Sequence, residues 1–126
     1  MNEEISTLYD SHLDCVVVRF PSHVTERQLR KWTSDLHGVL LADQVVESDL
    51  LMDTNRHDFE NTNCLKLLRD TLMNDKVVLR AIRRVAFVQP KAIREPHVVS
   101  DTEAYFCTFE DAQNALRKSR SFSADG

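Results

Sequence analysis

The stretch CVVVRFPSHVTERQLRKW, residues 15 to 32, constrains the fold of this chain more than any other. Cys15 through Phe20 is a β-branched run stopped by Pro21-Ser22, so it reads as a strand. Three consecutive valines make it apolar on both sides, as in a strand covered on both faces of a sheet. A helix opens at once behind it. Thr25 is placed to cap it, Gln28 completes a capping box, and Val24 and Leu29 stand at the positions of a hydrophobic staple. Leu29, Trp32, Leu36, Val39 and Leu40 then recur at spacings of three and four, which gives one apolar face and a helix over 25–42. A buried strand feeding an amphipathic helix is the first unit of an α/β layer.

The rest of the chain continues that alternation. ISTLY (5–9) is a short extended segment, and SDLLMDT (48–54) is a buried strand. A second helix starts at Thr62 or Asn63, both acceptable caps, with Cys64, Leu65, Leu68 and Leu72 along its face. RVAFVQP (84–90) is a strand stopped by Pro90, and EAYFCTF (103–109) is another. Thr108 then caps a last helix, FEDAQNALRKS, with acids in its first turn and bases in its last. Residues 74–83 fit an extension of the second helix, a separate short helix or a loop. Residues 91–101 read as a loop or a short helical excursion. The expected order is β-β-α-β-α-β-β-α, in one domain over 1–118 with a disordered tail over 119–126.

Composition removes several function classes. No run of about 18 apolar residues exists, so no membrane span is expected. The acidic start, MNEEISTLYD, lacks the basic and apolar regions of a signal peptide, which points to the cytoplasm. The three cysteines, Cys15, Cys64 and Cys107, are far apart and contain no C-x-x-C pair, so buried thiols are expected rather than disulfides or structural zinc. A net charge of −4 argues against nucleic acid. The charge is uneven, with five Lys/Arg against twelve Asp/Glu in residues 1–60 and eleven against eight in 61–126. The basic group Arg80, Arg83, Arg84 is placed to meet an acidic partner, or is simply solvated.

The stretch DTNRHDFENTNC (53–64) is polar, without glycine or proline, and lies between a strand and a helix. Sites in α/β proteins tend to lie at such junctions. Asp53, His57, Asp58 and Glu60 are its candidate metal ligands, but their spacing matches no recognised motif. Cys64, near a helix start, is the one thiol whose position suggests reactivity. Two glycines cannot build a P-loop or a dinucleotide-binding loop. No catalytic, cofactor or metal residue is therefore assigned. Phe87, Tyr105, Phe106, Phe109 and Trp32 are candidates for lining an apolar pocket, or for plain core.

Three segments carry a family resemblance: CVVVRFPSHVTERQLRKW, IRRVAFVQP and AYFCTFEDAQNALRKS. In this order and spacing, over about residues 8–118, they resemble the SpoIIAA-like branch of the STAS superfamily, sometimes grouped with Sec14-type lipid-binding folds. The resemblance implies a four- or five-stranded mixed sheet with three to four helices packed mainly on one face. In anti-sigma-factor antagonists of this type, the polar junction carries an aspartate, two serines and a glycine, and a partner kinase phosphorylates one serine. Here the corresponding residues are Asn61, Thr62, Asn63 and Cys64. The modified serine falls on Asn63, which cannot accept phosphate, and only Thr62 keeps a hydroxyl.

The function expected on this basis is a non-catalytic cytoplasmic interaction module without the serine switch, acting on a protein partner. Its binding surface is Asn61, Thr62, Asn63 and Cys64, with Arg83 and Arg84 as a second candidate. The alternative is a carrier of a lipid or a small apolar or anionic ligand. A metal-dependent hydrolase is a distant third. An exposed sheet edge leaves room for a homodimer.

Overall fold

The protein is described by a computed structural model covering residues 4–54, 58–89, 95–118 and 121–122. The strands are β1 (Ser6–Asp10), β2 (Cys15–Arg19), β3 (His23–Val24), β4 (Ser48–Asp53), β5 (Asp58–Phe59), β6 (Ile82–Val88), β7 (His97–Ser100) and β8 (Glu103–Phe106). The helices are α1 (Glu26–Ala42), α2 (Thr62–Met73), α3 (Lys76–Ala81) and α4 (Phe109–Lys118). Six strands form one mixed sheet in the order β1-β2-β4-β6-β8-β7, and β3 and β5 form a separate parallel pair. The central strands β2, β4, β6 and β8 run parallel, and the edge strands β1 and β7 pair antiparallel to their neighbours.

The two faces of β2 explain its composition. Val16 and Val18 enter one core with Leu50 and Met52, under Leu29, Trp32, Leu36 and Leu40 of α1. Cys15 and Val17 point the other way, into a second core with Leu51, Ala86, Ala104 and Ala112 of α4. Each α1 anchor is at most 2% exposed, and burying such a side chain is worth about 1.5–3 kcal/mol. The expected capping box is present: Thr25 accepts from the Gln28 amide, and Gln28 from the Thr25 amide. Thr108 likewise caps α4, accepting from the Asp111 amide at 3.0 Å.

Three helices lie on one face and α4 on the other, in keeping with helices mainly on one side. The sheet has one strand more than expected. Within 91–101, expected as a loop or a short helical excursion, HVVS forms the strand β7 by pairing with β8. Residues 74–83 divide into the short helix α3, capped by Asp75, and the first turn-free residues of β6. The expected tail also differs. Phe122 is buried against Phe106, and its amide donates to the Asp101 carbonyl. Its aromatic surface closes the second core beside α4, while residues 119–120 and 123–126 lie outside the described residues.

Candidate functional site

α1 packs over β1, β2 and β4, and α2 packs against α1, α3 and β5, with Leu68 and Leu72 reaching the same core as Val85 and Phe87. Part of the face of β6 and β8 beside them is left open. A cleft of about 740 Å³ fills this space, within the roughly 300–1,000 Å³ usual for small-molecule sites. Its floor includes Val85, Phe87 and Tyr105, and its α2 wall Leu65, Leu68 and Leu72. Phe87 and Tyr105 are cross-strand partners, and their rings stack at 4.9 Å with 16° between planes. Of the five aromatics expected to line a pocket, these two do. Trp32 packs in the core against Phe20, Phe106 lies in the second core, and Phe109 lies under the Arg19 guanidinium. Alternation along β8 separates Tyr105 from Phe106.

The charged lining is mostly basic: Lys66, Arg69 and Arg83 against Glu103, while the Arg84 guanidinium turns to Leu116 and Phe122 on the other face. Glu103 accepts a hydrogen bond from the Tyr105 hydroxyl at 3.1 Å. Burial pushes the Tyr105 phenol above its usual value, Glu103 adds to this, and Arg69 opposes it.

α3 forms one end of the cleft through Val78, Leu79 and Ile82. Asp75 holds it. One carboxylate oxygen accepts from the Val77 and Val78 amides, and the other lies 2.7 Å from His37 Nε2 of α1. Desolvation alone would raise the Asp75 pKa, but these hydrogen bonds outweigh it and hold the carboxyl below its ordinary value of 3.8. A depressed carboxylate pKa stabilises the fold above the ordinary value, and that contribution is lost as pH falls through the depressed one. Asp75→Ala is therefore expected to cost about 1 kcal/mol at pH 7, the scale of an N-cap. In urea unfolding, the gap between parent and variant should shrink when the pH is taken from 7 to 3, and a constant gap would refute the linkage.

The other site runs along the polar junction. α2 begins at Thr62 with Asn61 at its N-cap position, and the Asn61 side chain makes no capping bond. Asn61, Thr62 and Asn63 are exposed. The junction is strapped to the start of α1: the Asp58 and Glu60 amides donate to the Ser22 and Val24 carbonyls, and the Glu60 carboxylate accepts from the Glu26 amide at 3.0 Å. The candidate metal ligands diverge among these tasks. Glu60 faces α1, Asp53 pairs with Arg19, Asp58 lies 3.5 Å from exposed His23, and His57 is outside the described residues.

The six expected binding residues do not form one surface. Cys64 is fully buried, with its thiol directed at the Val24 carbonyl. Apolar packing wins there because the first turn of α2 must seat on α1 and β3. Arg84 is 2% exposed, bound through Nε and Nη2 to Asp49 at 2.7 and 3.2 Å. Arg83 also reaches Asp49, at 3.3 Å. Both arginines stand at the start of β6, whereas α2 begins beyond the far end of β4, which runs parallel to β6. The pair thus lies at the opposite end of the sheet from Asn61, Thr62 and Asn63. Sequence reasoning missed the cleft wall, Lys66 and Arg69; their spacing of three on an amphipathic helix was the available signal.

This architecture and site define an α/β domain of the SpoIIAA-like fold. A solved structure with the same fold is an uncharacterized protein from the DUF3478 family of Shewanella loihica PV-4: 14% identity, TM-score 0.65, and coverage of 92% of this chain and 98% of that one. At that identity the likeness shows the fold alone. No protein-family model matches the chain, and no curated protein matches its sequence. Among the described residues, no helix is long and apolar enough to cross a membrane.

Proposed function

We propose that this domain is a non-catalytic binding module that contacts a protein partner through Asn61, Thr62 and Asn63, like anti-sigma-factor antagonists but without their serine switch. The observation that carries this reading is the exposed, strapped start of α2. A rim held by backbone bonds to β3 and by Glu60 loses little entropy on docking. Its uncapped helix N-terminus keeps free amides and partial positive charge toward solvent. The thiols support a non-catalytic role: burial pushes Cys15 up to about 12, and Cys64 is sealed inside. Cys15 therefore holds its proton at neutral pH, and Cys64 is out of reach of a substrate.

Asn63→Arg tests the rim. The substitution keeps an exposed helical position and should leave unfolding unchanged. A partner that copurifies with the parent should bind the variant about ten-fold more weakly or worse, as for a central interface position. Full retention of that partner by Asn63→Arg would rule the rim out. A second reading, a carrier of a small apolar or anionic ligand, is favoured by the cleft under α2.

A further inference from the structure

α2 is built as a wall. Its buried side chains are Cys64 and Thr71, and both face the α1 side: Cys64 toward the Val24 carbonyl, and Thr71 with its hydroxyl 3.0 Å from that of Thr33. Leu65, Leu68 and Leu72 recur at spacings of three and four on another side and line the cleft. Leu65 remains 54% exposed. Leu68 and Leu72 touch the core shared with Val85 and Phe87 but stay only partly buried, so apolar surface lining the cleft forgoes part of the burial that stabilises a core. Lys66 and Arg69 lie on the same wall, and neither has an ion pair or hydrogen bond among the described residues. Glu103 is already engaged by Tyr105, and Arg83 by Asp49. The cleft thus offers apolar surface together with uncommitted positive charge.

We infer that the cleft binds an anionic amphiphile, a carboxylate on an apolar body. The body lies between the leucine stripe and Phe87, and the carboxylate lies on Arg69, whose planar fork matches carboxylate geometry. This rests on the carrier reading and deepens it by naming the ligand class and the residue that holds its charged end.

The full chain should be titrated by calorimetry with dodecanoate and, separately, with dodecanol. Dodecanoate should bind about ten-fold or more tightly than dodecanol, the scale of one charge-assisted contact. Arg69→Gln should erase that difference while leaving dodecanol binding unchanged, and Leu68→Trp, which narrows the cleft, should weaken both. Equal binding of the two probes by the parent, or binding of neither, overturns the ligand class. Sedimentation with phosphatidylglycerol vesicles without binding of monomeric dodecanoate overturns an enclosed site in favour of a membrane surface. Dodecanoate should also slow amide hydrogen exchange across 62–73, and unchanged exchange in the bound protein overturns the placement of the ligand against α2. None of these readouts requires the protein partner. Failure of the Asn63→Arg test would therefore remove the partner rim and leave the cleft standing, and the reverse also holds.

Discussion

Asp49→Ala is expected to destabilise the domain by about 3–5 kcal/mol, the cost of leaving a buried charge without its partner. Asp49 and Arg84 have side chains only 7% and 1% exposed. Among the described residues nothing else replaces that carboxylate: Arg84 has one further bond, from Nη2 to the Leu116 carbonyl at 2.8 Å, and its Nη1 has no partner there. Its guanidinium also lies 4.9 Å from the centre of the Phe122 ring, so the charge is enclosed on every side. The pair joins the starts of β4 and β6 to the end of α4. Equilibrium unfolding in urea, followed by far-UV circular dichroism, measures the effect. A loss below about 1 kcal/mol would mean that water reaches Arg84 freely, as for a surface pair. Asp49→Leu combined with Arg84→Met should recover most of the loss, because removing both charges removes the desolvation cost along with the attraction.

Trp32→Ala is expected to cost about 3–5 kcal/mol as well, through the cavity it leaves. Trp32 is 1% exposed, and its ring meets Phe20 edge-on at 6.0 Å. Phe20 in turn packs edge-on against Phe59 at 6.4 Å, so the loss spreads toward the junction before α2. Trp32→Phe should cost clearly less. It removes the indole nitrogen, which is buried without a hydrogen-bond partner among the described residues, and leaving such a donor unsatisfied is itself unfavourable. Circular dichroism is again the readout, since Trp32 is the single tryptophan and its fluorescence disappears in both variants. Equal losses for the two substitutions would show that the indole N–H carries a stabilising contact.

The elements legible in the sequence were those whose signal is local. The capping box at Thr25 and Gln28, the stripe from Leu29 to Leu40, the valine run of β2 and the cap of α4 at Thr108 each reside within a few residues, and each forms as read. Elements whose signal is a partner were harder to see. HVVS is a strand because β8 lies beside it, and His23–Val24 because Asp58–Phe59 does. The candidate site divides the same way. The start of α2 was readable to within a residue, although the expected caps Thr62 and Asn63 lie inside the helix and Asn61 makes no capping bond; the burial of Cys64 and the separation of Arg83 and Arg84 from the rim were not readable.

The amino-acid sequence by itself determined the period of each long element, and hence an α/β layer; helices mainly on one face was what the family resemblance implied. Period is set by residues three or four apart on a helix and two apart on a strand. Only the tertiary structure decided which charges were enclosed and where a cleft was left. Asp49 and Arg84 are 35 positions apart, and their contact depends on the parallel register of β4 and β6. The cleft lies where α2 and α3 meet the face of β6 and β8, an arrangement set by helix–helix packing and invisible in any single segment.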